Sequence, residues 1–191
     1  AYKSWKNKQE DKEVFLKIAA GIKGIYVPSF YKVYYNSNRT VEEIKPIDKS
    51  VPKKVEKRII QDLDNAYYPS RFIVPFMEVV HDRAMLEIFR GCTRGCRFCQ
   101  AGMIYRPVRE KSIETLEKQG KELMDNTGYE EISLVSLSSS DYPYIEPITE
   151  KLLEAFKTRG VNLSLPSLRI DSFSLRMAEL VQEVRKSGLT F

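Results

Sequence analysis

Arg90-Gly91-Cys92-Thr93-Arg94-Gly95-Cys96-Arg97-Phe98-Cys99-Gln100-Ala101-Gly102 holds all three cysteines of the 191-residue chain in one short loop. Thiols at this C-x3-C-x2-C spacing can converge as thiolates on one metal centre. Gly91 and Gly95 let the backbone fold tightly, and the neighbouring arginines favour deprotonated sulfur. Three ligands are one short of the four that close a structural zinc site or fully ligate an iron-sulfur cluster. Three readings stand: a zinc site completed by His81 or by another chain, inert buried thiols, or a 4Fe-4S cluster with one iron open to a substrate or cofactor. His81, the one histidine, breaks the usual zinc spacing. An odd cysteine count and no visible secretion signal count against disulfides.

Outward from the loop the chain reads as a repeat of strand, loop and helix. A strand over Met85 to Phe89 feeds the loop, and a helix opens at Ser112 with Ile113, Leu116, Leu123 and Met124 on one face before Gly128. A second unit has a strand over Ile132 to Leu137, a serine-rich loop, and a helix around Ile148, Leu152, Leu153 and Phe156 ending at Gly160. A third has a strand over Val161 to Leu165 and a helix with Phe173, Met177, Leu180, Val181 and Val184 ending at Gly188; a fourth strand opens at Leu189. Strands separated by helices of this length imply parallel βα units wound right-handed. Periodicity alone allows a doubly wound sheet, but the polar loops follow the carboxyl ends of strands, where barrel enzymes place their sites. Glu87, Asn162 and Ser164 would then face a barrel interior that could hold a substrate, or equally serve as buried hydrogen-bond partners.

Residues 1–83 read as an accessory α+β segment and residues 84–191 as the barrel portion. Val14, Ile18, Ala19 and Ile22 give one helical face between Glu10 and Ile22, ended by Gly24. Ile25-Tyr26-Val27 and Tyr31 to Tyr35 read as strands, with Asn36-Ser37-Asn38 turning into Thr40 to Lys45 as a hairpin. A second extended pair is expected at Val55 to Ile60 and Phe72 to Val80. Tyr26, Tyr31, Tyr34 and Tyr35 suit a stacking platform for a base or ring, though aromatics at strand spacing more often form sheet core.

An apolar content of 42% is enough for a packed core, and no apolar run reaches the roughly 20 residues that cross a bilayer. Cytoplasmic placement without a membrane is the expectation, in keeping with cysteines that need a reducing compartment. The net charge of +5 favours anionic partners, and basic residues cluster at Lys49, Lys53, Lys54, Lys57 and Arg58. With 30% charged residues of mixed sign, the simpler reading of that cluster is a solvated surface. Arg94, Arg97, Arg106 and Arg109 would surround a net-negative cluster. The chain begins at Ala1 and stops at an apparent strand opening, so it reads as a fragment.

The loop resembles the radical S-adenosylmethionine (radical SAM) superfamily, whose signature is C-x3-C-x-aromatic-C with the aromatic here at Phe98. The longer run from Val80 through Arg109, with Ser136 to Tyr142 and Ser164 to Asp171, resembles an uncharacterised branch in which a cobalamin-binding-type domain usually precedes the radical SAM core. The resemblance implies a partial (β/α) barrel, here truncated after about three βα units. It implies a 4Fe-4S cluster on Cys92, Cys96 and Cys99, S-adenosylmethionine on the open iron, an electron donor, and reductive cleavage to methionine and a 5′-deoxyadenosyl radical. It places Phe98 and Gln100 beside the cofactor, with Phe98 near the adenine. Ser138, Ser139, Ser140 and Asp141 occupy the place of a Gly-Gly-Glu-like run that receives the methionine amino group. This sequence departs from that run, and a plain loop with Asp141 as helix cap is as good a reading. Arg169 would pair with the methionine carboxylate with Ser167 in reach, unless it neutralises Asp171 locally. Cobalamin through a domain outside this chain, and a methyl- or methylthio-transferase acting on RNA or protein, form a narrower alternative. A non-enzymatic metal-binding interaction module is the third.

Overall fold

The computed structural model describes residues 2–8, 11–77, 79–172 and 174–182. Expectations that fall on Phe173, Val184, Gly188 and the strand opening at Leu189 lie outside the described residues. The chain forms two compact units, one reaching to Ile59 and one from Ile60 onward.

In the first unit, α1 (Tyr2–Lys8) and α2 (Lys12–Ala20) are joined through their rings, with Trp5 and Phe15 centroids 5.1 Å apart. The hairpin appears as expected: β1 (Tyr31–Tyr35) pairs antiparallel with β2 (Val41–Pro46), and the Asn36 N–H bonds the Thr40 carbonyl to close the turn. Ala20, Val27, Phe30 and Val51 form a small core. Ile25-Tyr26-Val27 is not a strand. The chain there is irregular and runs into a 3-10 turn over Pro28–Phe30, because the Pro28 ring fixes its own φ and offers no N–H to a ladder.

The second unit is built on a parallel sheet. Ala84, Leu86, Ile132, Leu134 and Leu163 are all at most 1% exposed and alternate with more polar neighbours, the period-2 pattern of strands that bury one face. They lie on β3 (Ala84–Glu87), β6 (Glu131–Val135) and β7 (Asn162–Ser164), hydrogen-bonded in the order β3-β6-β7 with all pairs parallel. A two-residue antiparallel ladder between β4 (Phe89–Arg90) and β5 (Arg109–Glu110), not foreseen from the sequence, brackets a short α3 (Ala101–Ile104).

The helices cover one face. In α4 (Ile113–Thr127) the Ser112 hydroxyl accepts the Thr115 N–H, and Gly128 at φ +71 ends the helix, as the sequence predicts. α4 packs on β3 and on α5 (Ile145–Phe156), which in turn packs on α6 (Leu175–Val181). Gly120 sits where a Cβ would stand 3.0 Å from Leu152 Cδ2, so α4 approaches α5 and the sheet closely. Each fully buried leucine or isoleucine in this layer stabilises by about 1.5–3 kcal/mol. Met85, Glu87, Ser133, Val135 and Ser164 belong to the opposite face, where Met85 is 53% exposed.

Among the described residues the extended pair expected at Val55 to Ile60 and Phe72 to Val80 does not form. Pro75 removes a donor from the second segment, while Phe76 and Val80 point outward at 108% and 91% exposure. Residues from Ile60 to Arg83, grouped by sequence with the N-terminal segment, belong to the second unit: Tyr68 and Phe72 pack on its core, and the Asp64 carboxylate accepts the Ser112 N–H at 2.8 Å. Among the described residues no helix is long and apolar enough to cross a membrane.

Candidate functional site

The cysteine loop leaves the carboxyl end of β3 and returns beside it. The Ile88 N–H bonds the Val135 carbonyl and the Lys111 N–H bonds the Ile88 carbonyl, so β3, β4 and β5 hold the two ends of the loop together. Gly91 forms the neck. At φ +101 a Cβ there would stand 2.7 Å from the carbonyl oxygens of both Tyr105 and Pro107, so only glycine fits. Arg106 reaches from the segment between α3 and β5, its Nε 3.4 Å from the Cys92 carbonyl oxygen.

Within the loop the Cys99 N–H bonds the Cys96 carbonyl at 3.0 Å in a tight turn, and all three thiols are half-buried. Among the described residues no three His, Cys, Asp or Glu side chains stand close enough together to hold a metal ion as they are. The donor set still suits an iron-sulfur cluster: three thiols share one loop, and Gly95 at φ +64 has open space, with Arg106 Nη2 at 3.7 Å the nearest atom to a notional Cβ. Phe98 is 92% exposed and does not anchor the loop in the core; Gln100 opens α3, its carbonyl accepting the Met103 N–H.

Charge ties this loop to its neighbours. Arg94 Nε donates to Asp141 Oδ2 at 2.8 Å, Nη2 donates to the other carboxylate oxygen, and Nη1 lies 3.5 Å from Asp171 Oδ2. The Arg94 guanidinium, aided by the Ser138 hydroxyl, holds the Asp141 carboxyl below the usual carboxylate range against the opposing effect of burial. Asp141 therefore does not cap a helix: Tyr144 precedes α5, and the carboxylate faces the cysteine loop.

The serines fall into two groups. Ser138 and Ser139 are buried at 3% and 0% exposure. The Ser139 hydroxyl donates to the Leu134 carbonyl, and Ser138 Oγ donates to Asp141. The Ser139 N–H meets the Ser167 carbonyl at 3.1 Å, joining the second and third loops. Ser167 is exposed and at φ +60, a strained conformation for a serine. Arg169 forms a two-pronged pair with Asp171, at 2.9 and 2.7 Å, which is the local neutralisation that the sequence allowed. The bonds to Arg169 hold the Asp171 carboxyl low.

Glu87, on the face away from the helices, pairs with Arg90 at 2.8 and 2.7 Å, and this holds its carboxyl low. A cavity of about 370 Å³ opens there, lined by Glu87, Arg90, Gly91, Tyr105, Ser136 and Leu137 among others. The loops of the second unit thus meet at the carboxyl end of its parallel sheet, with thiols, two arginine–aspartate pairs and a cavity at one edge. Sequence reasoning missed the Arg94–Asp141 pair because its members lie 47 residues apart, and no local pattern links them.

The Radical SAM superfamily model matches residues 86–191, more than half of the chain. The chain belongs to the radical SAM superfamily. This radical SAM chain is 36% identical over 90 residues to an uncharacterized protein of Methanocaldococcus jannaschii, covering 47% of this chain and 19% of that protein. It is 28% identical over 121 residues to the ribosomal protein uS12 methylthiotransferase RimO of Prosthecochloris aestuarii, covering 63% of this chain and 28% of that protein. The chain spans only these fractions of its curated relatives. Membership agrees with the mixed α/β fold and its parallel sheet.

Proposed function

We propose that this chain is part of a radical SAM enzyme in which Cys92, Cys96 and Cys99 hold a 4Fe-4S cluster and the adjoining loops hold S-adenosylmethionine. The observation that carries this reading is the position of the cysteine loop at the carboxyl end of the first parallel strand, facing the loops after β6 and β7. Cys92, Cys96 and Cys99 would hold the cluster, which would supply the one electron, drawn from a separate donor, that cleaves the sulfonium into methionine and a 5′-deoxyadenosyl radical.

The chain's own residues bind and orient. Arg169 takes the cofactor carboxylate by exchanging Asp171 for it, a like-for-like replacement of one two-oxygen partner by another. Asp141 and Ser138 receive the amino group, and Ser139 and Ser167 keep the two supporting loops in register. Phe98 and Gln100 cover the adenine, a role that suits the open position of the Phe98 ring. Placing these groups around one point excludes water from the reacting centre.

A partial barrel is the architecture proposed for the full catalytic core. Its support is the sequential strand order, the helices on one face, and an opposite face that carries Glu87, Ser133 and Ser164, with Glu87 in the cavity wall.

Anaerobic reconstitution tests the reading. About four iron and four sulfide per chain are expected, with 5′-deoxyadenosine released from S-adenosylmethionine under reductant. Equal iron binding by Cys92→Ala would sink it. A second reading, a methyl- or methylthio-transferase acting on RNA or protein with or without cobalamin, draws on the similarity to RimO. It requires the mass gain of a transferred group on the acceptor, and 5′-deoxyadenosine without that gain would count against it.

A further inference from the structure

We propose that the N-terminal unit binds single-stranded nucleic acid, with phosphates in a basic cavity behind α2 and bases stacked on the tyrosines at its rim. The inference is independent of the cysteine loop and its chemistry.

The turn after α2 and the segment from Lys49 to Arg58 enclose a cavity of about 630 Å³. Its walls carry Lys23, Lys49, Lys54, Lys57 and Arg58 against one carboxylate, Glu56. Two other lysines of this unit are paired: Lys17 lies 3.4 Å from Glu13 and 3.8 Å from Asp48, and Lys45 lies 2.7 Å from Glu43. Lys23, Lys49, Lys54 and Arg58 have no ion pair with any described residue. A solvated surface of mixed sign would intersperse its charges, whereas a concavity of one sign focuses its field on an anion. Gly24, at φ +88, lets the backbone press on the stem of Arg58, where a Cβ would stand 2.9 Å from its Cγ; the arginine is thereby seated in the wall.

The aromatic groups point to bases. Pro52, in the cavity wall, accepts the Tyr31 hydroxyl at 2.8 Å, and the Tyr26 ring lies against Tyr31 with centroids 4.8 Å apart. Tyr26 is 48% exposed, so part of its ring remains open, and it follows Ile25 of the cavity wall in the chain. Further along β1, Lys32 and Lys45 lie over Tyr34 at 5.3 and 5.4 Å, and Tyr35 is 62% exposed. Cations interleaved with exposed rings are the requirement for holding unpaired bases and their phosphates together. An anionic membrane or an acidic peptide would need the cations alone.

The test measures binding of a labelled oligouridylate of about twelve nucleotides to the full chain across a salt series. In Lys49→Ala/Lys54→Ala/Arg58→Ala, affinity should fall at least about tenfold, and the slope of log K against log salt should drop by about two, at roughly 0.7 per lost phosphate contact. Tyr26→Leu should weaken binding about tenfold while keeping the wild-type salt slope. Inorganic polyphosphate should lose affinity in the triple variant and ignore Tyr26→Leu. Wild-type affinity in the triple variant, no binding by the intact chain, or an equal Tyr26→Leu loss for polyphosphate each overturns the proposal. Iron and sulfide content, measured on the same samples, should not change with these substitutions, so failure here leaves the cluster reading separate.

Discussion

Arg94 and Asp141 face each other through two parallel hydrogen bonds, Nε to Oδ2 at 2.8 Å and Nη2 to Oδ1, and so tie the tip of the cysteine loop to the loop after β6. Asp171 stands 3.5 Å from the same guanidinium and is itself held by Arg169. Two arginines and two aspartates therefore connect the cysteine loop to the loops after β6 and β7, which the Ser139–Ser167 backbone hydrogen bond already joins. With Arg94 bound to two carboxylates, the loop is fixed at its centre as well as at its neck.

Arg94→Ala should free the loop without unfolding the sheet, since the pair is partly exposed. The expected outcome is severalfold faster alkylation of Cys96 and Cys99 by iodoacetamide with a nearly unchanged melting temperature. Unchanged alkylation would show that the Gly91 neck alone sets the loop.

The same pair should respond to acid. The folded-state pKa of Asp141 is depressed, so its contribution is complete above the unfolded value of about 3.9 and is lost as pH falls through the folded value. The difference in melting temperature between wild type and Asp141→Asn should be constant from neutral pH down to about pH 5 and should shrink below pH 4. A difference that grows on acidification would contradict the assignment.

Gly91→Ala should destabilise by about 1–3 kcal/mol, since the residue sits at φ +101 with two carbonyl oxygens where the methyl would go. Urea denaturation reads the loss. Reconstituted iron should fall with it, because the neck positions both arms of the loop. Gly128→Ala, at φ +71 with nothing within 4 Å, serves as the comparison and should cost less.

Lys111 is 6% exposed, with its ammonium 2.8 Å from Gln119 Oε1 and 6.0 Å from the Tyr68 ring centroid, and burial lowers its pKa. A lysine whose folded pKa is depressed destabilises at neutral pH, and stability recovers as pH rises from the folded value toward the unfolded one of about 10.4. Lys111→Met should be neutral or stabilising and should abolish that rise, whereas Gln119→Leu should cost about 2–4 kcal/mol by stranding the cation. Denaturation at pH 7 and at pH 9.5 separates the two. A Lys111→Met variant with the wild-type rise would refute the titration.

Local signals made much of the fold legible. Ser112 and Gly128 bracket α4 as expected, Asn36-Ser37-Asn38 turns the hairpin, and Ala84, Leu86, Ile132, Leu134 and Leu163 mark the buried strand face. These features depend on neighbours within a few residues, which is the range that a pattern covers. The extended reading of Phe72 to Val80 failed because apolar composition does not supply a partner strand, and Pro75 cannot donate to one. The Ser138 and Ser139 hydroxyls bond Asp141 and the Leu134 carbonyl, partners that depend on how the loop folds back on its own strand.

The sequence by itself determined that three thiols share one loop after a strand, because spacing within a loop is a covalent property. It also determined the βα repeat, because periodicity reports which face of each element must leave water. Only the tertiary structure decided that Arg94 meets Asp141 across 47 residues, that Arg169 is held by Asp171, and that Lys23 joins Lys49, Lys54 and Arg58 in one cavity. Charged side chains are long and exposed, so the pairs they form depend on which loops packing brings together, and no local rule of sequence sets that.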